Sequence, residues 1–312
     1  MTMRILFAGT PEAALPSLDA LVGSDHEVVA VLTRPDTRSG RGRKVHRSEV
    51  GQRADELGIR LLQPKSLRDP EVADELRAFD LDVAAIVAYG GLVPADVLTI
   101  PRHGWINLHF SLLPRWRGAA PVQHAIAAGD EQIGACTFQL EEGLDTGPIY
   151  HELTITTPPR ATAGDLLTQL AQDGAALLRQ SLDEIAAGTA IARPQPAEGV
   201  TLAPKISLED VRVDFNRSAA HVDRLVRSAA PAPGAWCIIA GQRLKLGPVE
   251  PLHESIPAGE LVVTKRDLVI GCAEGAVRLG EVQPQGKRPM GAPDYARGAR
   301  LTSGMIVDEE TG

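Results

Sequence analysis

Asn107 and His109 stand one residue apart at the end of the apolar run Gly104-Trp105-Ile106-Asn107-Leu108, and Leu144-Asp145-Thr146-Gly147 follows downstream. Together they offer a carboxamide, an imidazole and a carboxylate, three groups that acyl transfer to an amine can use in concert. Attack of an amine on an acyl carbon creates a negative oxygen and a positive nitrogen. The Asn107 amide can donate a hydrogen bond to that oxygen, a contact worth roughly 3–4 kcal/mol in acyl-transfer sites. His109 can support the oxyanion when protonated, or help to move the proton that the amine sheds. Asp145 beside it would fix the imidazole tautomer and serve as a further proton acceptor. No serine or cysteine nucleophile is needed if the amine attacks directly, which fits a transferase better than a hydrolase. Taken singly, Asn-x-His reads as a turn amide and a core histidine, and Asp-Thr-Gly reads as a turn. The adjoining stretch Ser111–Pro121 tips the balance. It is apolar, carries Pro114, Gly118 and Pro121, and suits a pocket lined by backbone groups better than a simple surface loop.

These residues need a scaffold that holds them at one edge. Strand-like runs recur at residues 4–8, 27–32, 59–62, 83–88, 104–108 and 133–140, with helical patterns at 12–22, 48–57, 71–79 and 121–128. The alternation predicts an α/β fold with a doubly wound, mostly parallel sheet. Side chains two apart on the strand before His109 leave the same face, so Asn107 and His109 would share the carboxyl edge where such sheets bind ligands. A further strand is expected over 149–156 and a helix over 162–187. Residues 188–205 carry Pro194, Pro196 and Pro204 and read as a semi-rigid connector. Beyond it, a helix at 219–228 and short strands at 235–240, 243–246, 259–263, 268–272 and 276–282 predict a small barrel. The expected division is a catalytic domain over 1–188, a linker over 189–205 and a β-rich domain over 206–312.

The opening Ile5-Leu6-Phe7-Ala8-Gly9-Thr10-Pro11-Glu12, the Gly40-Arg41-Gly42-Arg43-Lys44 loop, Ala88-Tyr89-Gly90, Asn107–Pro121 and Leu144–Pro148 together resemble the methionyl-tRNA formyltransferase family over essentially the whole chain. The Asn-x-His-x-Ser-Leu-Leu-Pro signature alone is shared by a wider group that uses 10-formyltetrahydrofolate. The resemblance implies formyl transfer from 10-formyltetrahydrofolate to the α-amine of methionine on initiator tRNA, with Asn107, His109 and Asp145 as catalytic residues. It implies a folate-site loop at Ser111, Leu112, Leu113 and Pro114, and an OB-like fold for the C-terminal barrel. Tyr89 and Gly90, ending the fourth strand, would add backbone donors and acceptors for a pterin ring. In the resembling family the basic loop meets the tRNA acceptor end, which falls here on Arg41, Arg43 and Lys44. Lys287 and Arg288, a loop-like basic pair in the C-terminal part, are the preferred contacts along the RNA backbone. Arg115 and Arg117 would order the folate-site loop, while His103 and His124 read as structural.

Composition bounds the alternatives. The net charge is −8, awkward for an RNA partner. It is unevenly spread: residues 205–312 balance 14 Lys and Arg against 14 Asp and Glu, so the surplus lies in residues 1–204. Within that acidic part, Arg34–Arg47 holds six Lys and Arg against Asp36 alone, a local basic loop. The three cysteines, Cys136, Cys237 and Cys272, are far apart and form no metal-ligand spacing, so a reduced, cytoplasmic, metal-free protein is expected. No signal peptide or membrane-spanning run is visible, and a monomer is expected. Gly9-Thr10-Pro11 supplies a single glycine after the first strand, poor support for a dinucleotide or a phosphate loop. A formyltransferase acting on a small amine, a formyltetrahydrofolate hydrolase and a non-catalytic RNA-binding protein stand as rivals.

Overall fold

The computed structural model describes residues 1–39 and 44–308. The chain forms two compact units: the first comprises Met1–Pro121, Gln132–Thr156 and Leu167–Pro204, the second Val122–Glu131, Thr157–Leu166 and Lys205–Gly312. Through the first unit run β1 (Arg4–Gly9), α1 (Leu15–Val22), β2 (Glu27–Leu32), a hairpin of β3 (Thr37–Ser39) and β4 (Lys44–His46), α2 (Glu49–Leu57), β5 (Arg60–Leu62), α3 (Pro70–Ala78), β6 (Val83–Val87), α4 (Ala95–Leu98), β7 (Trp105–His109) and β8 (Arg117–Gly118). Next along the chain come α5 (Pro121–Ala128), which after Pro121 belongs to the second unit, β9 (Gln132–Gln139), β10 (Ile149–Thr156), α6 (Ala163–Ala187), whose first residues to Leu166 belong to the second unit, and β11 (Leu202–Ala203).

Seven strands make one sheet in the order β10-β9-β7-β6-β1-β2-β5. The five from β7 to β5 are parallel, whereas β9 runs antiparallel to β7 and β10 antiparallel to β9. β1 is the middle one of these five parallel strands, and its uninterrupted apolar run is buried on both faces, as an interior parallel strand requires. On one face Leu6, Ala8, Ala30, Leu32, Ala84, Ile86 and Trp105 pack into a single cluster with Ala73 and Leu76 of α3. From β1 the chain winds outward through β2 and β5, then crosses back to β6 and β7. The carboxyl ends of β1 and β6 therefore flank the point where the winding reverses. Local chemistry sets the helix ends: the Ser48 hydroxyl accepts the Gly51 N–H at 3.0 Å to start α2, and Gly58 at φ 68° closes it.

The second unit holds α7 (Ala219–Ala229), capped by Ser218, and α8 (Ala292–Gly298). Its strands are β12 (Trp236–Ile239), β13 (Gln242–Leu246), β14 (Glu250–Leu252), β15 (Leu261–Val263), β16 (Leu268–Gly271), β17 (Ala276–Arg278), β18 (Glu281–Pro284) and β19 (Met290–Gly291). They form two four-stranded antiparallel sheets, β12-β13-β18-β19 and β14-β17-β16-β15. Residues such as Val213, Val222, Val226, Leu244, Ile270, Val277 and Tyr295 share one core. The strand expected over 276–282 is two strands, because at Leu279-Gly280 the chain leaves one sheet and enters the other. Among the described residues no helix is long and apolar enough to cross a membrane.

Candidate active site

Antiparallel and parallel partners fix β7 from both sides: Ile86 and Phe138 lie opposite Asn107, and Cys136 lies opposite His109. The two polar side chains thus leave one face at the carboxyl end of the strand. His109 is 7% exposed, and its ring stands perpendicular to that of Phe138, with 6.2 Å between centroids and 89° between planes. Its Nε2 lies 3.0 Å from the Trp116 carbonyl oxygen. A carbonyl can only accept, so Nε2 carries the hydrogen. That choice leaves Nδ1 facing the Asp145 carboxylate, with 4.0 Å to Oδ2. The gap exceeds a direct hydrogen bond and fits a bridging water or a bridging amine nitrogen. The tautomer expected from Asp145 is therefore set by the Trp116 carbonyl. Asp145 Oδ2 is itself held by the Gly118 N–H at 2.7 Å. The Asn107 side chain is half-buried and, among the described residues, has no hydrogen-bond partner, leaving its amide free to donate.

Both residues that address the His109 ring sit in the left-handed region, Trp116 at φ 60° and Asp145 at φ 49°. Such a conformation costs an L side chain about 1–2 kcal/mol and persists only where its surroundings enforce it. The constraint comes from residues 195–203. The Thr201 hydroxyl accepts the Trp116 N–H at 2.8 Å, and β11 pairs with β8 in parallel. Gln195 Nε2 donates to the carbonyls of Asp145 (2.7 Å) and Gly147 (2.8 Å). Its Oε1 accepts from Arg117 Nε (3.2 Å) and Nη2 (2.6 Å). Gly118, at φ 128°, must lack a side chain, since a Cβ would lie 2.6 Å from the Ala203 oxygen.

The expected folate-site residues divide. Tyr89 is buried in the core cluster; burial pushes its phenol up, opposed by Arg34, and its carbonyl accepts the Thr10 hydroxyl at 2.8 Å. On either side of it Ala88 (φ 46°) and Gly90 (φ 74°) leave the extended conformation, and β6 stops at Val87 and not at the expected Ala88. Ser111, Leu113 and Pro114 are buried, and serve the loop itself: the Ser111 hydroxyl donates to the Arg115 carbonyl at 2.6 Å, and Leu113 packs on Cys136, Phe138 and Ile149. Leu112 is half-buried against Gly134.

The pattern named Formyl transferase matches residues 3–182, and that named Formyl transferase, C-terminal domain, matches residues 205–300. The chain belongs to the formyl transferase family. It is 56% identical over 304 residues to the methionyl-tRNA formyltransferase of Thermobifida fusca, covering 97% of this chain and 98% of that one. To the methionyl-tRNA formyltransferase of Nocardioides sp. it is 53% identical over 309 residues, covering 98% of each. Among solved structures, an N-formyltransferase from Helicobacter canadensis in complex with folinic acid and dTDP-3-aminofucose has a TM-score of 0.68 at 16% identity, covering 91% of this chain and 100% of that one. HypX from Aquifex aeolicus in complex with tetrahydrofolic acid has a TM-score of 0.66 at 18% identity, covering 95% of this chain and 47% of that one. At that identity the two structures share the fold.

The basic residues expected to meet nucleic acid lie apart from this centre in sequence. Arg41 and Arg43 lie outside the described residues, and Lys44 opens β4. In the second unit, Lys287 and Arg288 are exposed in the turn between β18 and β19, where Gln283 Nε2 donates to the Lys287 carbonyl at 2.9 Å. Arg115 lies over the Trp116 ring at 5.0 Å, and Arg117 Nη2 donates to Gln195 Oε1 at 2.6 Å. Sequence reasoning anticipated Gly118 in a backbone-lined loop and missed Trp116, Gln195 and Thr201. Trp116 acts through its backbone, and Gln195 and Thr201 stand in a segment that reads as a connector; only the two prolines flanking Gln195 hint at a fixed geometry there.

Proposed function

We propose that this protein transfers the formyl group of 10-formyltetrahydrofolate to the α-amine of methionine on initiator tRNA, with Asn107, His109 and Asp145 acting on the reacting atoms. One observation carries the reading: the His109 ring and the Asp145 carboxylate face each other across 4.0 Å on the side of β7 that bears the free Asn107 amide. This lies in a chain 56% identical to a methionyl-tRNA formyltransferase over nearly its full length. The incoming amine nitrogen bonds to the formyl carbon, and the carbonyl pair moves to oxygen. Asn107 donates to that oxyanion, and His109 supports it when Nδ1 is protonated. Asp145 accepts the proton that the amine nitrogen sheds, directly or through Nδ1. Collapse of the adduct re-forms the carbonyl, breaks the bond to N10 of the folate and returns one proton to that nitrogen.

The backbone at Tyr89 and Gly90 and the loop Ser111, Leu112, Leu113, Pro114 border the folate in this proposal. Arg41, Arg43 and Lys44 meet the acceptor end of the tRNA, and Lys287 and Arg288 meet its backbone. The catalytic domain spans 1–188, a linker 189–205 and the C-terminal domain 206–312, and the protein works as a cytoplasmic monomer. Labelled 10-formyltetrahydrofolate offered with methionyl initiator tRNA should yield labelled formylmethionyl-tRNA. Formyl transfer to small amines in its place, or release of formate with no acceptor present, would assign the chain to a different activity.

A further inference from the structure

The two residues that shape the surroundings of His109 share an unusual property. Trp116, whose carbonyl fixes the ring tautomer, and Asp145, whose carboxylate faces the other ring nitrogen, are both non-glycine residues in the left-handed region. Each is pinned at its own backbone by a side chain from one short stretch, residues 195–203. Thr201 takes the Trp116 N–H, and Gln195 donates to the Asp145 carbonyl.

Gln195 is used to capacity. Both of its amide hydrogens go to carbonyls of the Asp145–Gly147 turn, and its oxygen receives two hydrogens from Arg117. Arg117 directly precedes Gly118, whose N–H holds the Asp145 carboxylate. The Asp145 turn and the strand that grips its carboxylate are thus joined through one amide. A glutamine is needed for this. Glutamate keeps an acceptor for Arg117 and loses both donors, and asparagine is one methylene too short.

We propose that residues 195–203 form a brace in which Gln195 and Thr201 are positioning residues, together fixing the tautomer of His109 and its separation from Asp145. This rests on the formyl-transfer reading above. Neither side chain hydrogen-bonds to the ring or to the carboxylate itself; both act by holding backbone that would relax out of the left-handed region without them. Misplacement of a reacting group by about 1 Å costs on the order of a hundredfold in rate, so removing the brace should lower turnover and leave substrate affinity alone.

The test compares Gln195→Glu, Gln195→Ala, Thr201→Val and Thr201→Ser. In steady-state formylation of methionyl initiator tRNA, the first three should lose roughly ten- to a hundredfold in kcat, with KM for both substrates within about twofold. Thr201→Ser keeps the acceptor oxygen and should retain most of the turnover. Thermal unfolding of each variant separates this from global destabilisation. An independent readout needs no substrate: nitrogen shifts of the His109 ring should report hydrogen on Nε2 in the parent, with a changed tautomer balance in Thr201→Val. Unchanged kcat in Gln195→Glu and Thr201→Val, or raised KM at constant kcat, would overturn the proposal, and so would ring shifts identical to the parent. A parent chain inactive on methionyl-tRNA would instead count against the functional reading, with the ring shifts still deciding the brace.

Discussion

At the scale of single residues, the proposed mechanism distinguishes groups that touch the reacting atoms from groups that only keep them in place. Among the described residues the Asn107 side chain has no hydrogen-bond partner, so truncating it should remove the proposed oxyanion hydrogen bond and little else. Asn107→Ala should reduce kcat by about a hundred- to a thousandfold, roughly 3 to 4 kcal/mol of transition-state stabilisation. His109→Ala and Asp145→Ala should likewise lose most turnover, while all three still bind folate in equilibrium titration. Near-parent kcat in any one would remove that residue from the mechanism. The three thiols behave oppositely. Burial pushes Cys272 up to about 11, and pushes Cys136 and Cys237 higher still, although Cys136 lies beside His109 in the sheet. Thiolate is the reactive form, so all three should resist alkylation by iodoacetamide at pH 8 in the folded protein and react on unfolding. Rapid modification of any of them in the native state would contradict this. Asn107 and His109 were legible in the sequence because a period of two is all that a strand needs to place them together. The Trp116 carbonyl was not, because every residue carries one and only the fold says which is aimed at an imidazole.

Among the elements, legibility followed apolar continuity. β2, β10 and α5 begin and end at the residues that the sequence pattern predicts. α4, α8, β14 and β19 are too short to leave a periodic signal, and the β17–β18 break depends on a change of sheet that no local pattern announces. The connector after α6 was legible as proline-rich but not as a structural part of the site, because one glutamine and one threonine do its work. Gly147, in the turn that this connector holds, sits where any Cβ would run into the Gln139 carbonyl. Gly147→Ala should therefore displace the Asp145 turn, lowering stability by up to about 3 kcal/mol in denaturant titration and abolishing turnover. At the start of α6, Thr162 and Asp165 cap each other: the Thr162 N–H and hydroxyl reach Asp165 Oδ2 at 2.9 and 2.7 Å, and the Asp165 N–H reaches the Thr162 hydroxyl at 3.2 Å. The Thr162 N–H, then its hydroxyl, hold the Asp165 carboxyl below the ordinary range. Its stabilisation is thus fully present above the unfolded value of about 4 and fades as the pH falls through the lower folded value. Asp165→Ala should be less stable than the parent at pH 7, with the difference closing towards pH 2. A gap independent of pH would exclude the carboxylate as its source.

For the molecule as a whole, the question is how a chain of net charge −8 holds a polyanion. Phosphate contacts supply most of the affinity for nucleic acid, and each one releases counterions, so affinity falls as salt rises. A uniform negative surface would oppose this, and the distribution avoids it: the acidic surplus lies in residues 1–204, while residues 205–312 are balanced at 14 against 14. Local sign then matters more than total charge, because at physiological salt a charge is screened within about 8 Å. Lys287 and Arg288 are exposed on a hairpin turn, and neither is tied to a carboxylate among the described residues, so both charges are available to a phosphate. Replacing both by Ala should weaken tRNA binding for initiator and elongator alike, since backbone contacts carry no sequence information. It should also flatten the plot of log affinity against log salt by roughly one unit for each phosphate no longer neutralised. Arg41→Ala should act differently, lowering kcat/KM for the charged tRNA through the acceptor end, with less effect on the salt slope than the double replacement. If the double variant kept the parent slope, the β18–β19 turn would not touch RNA, and the balanced charge of the C-terminal part would be a matter of solubility.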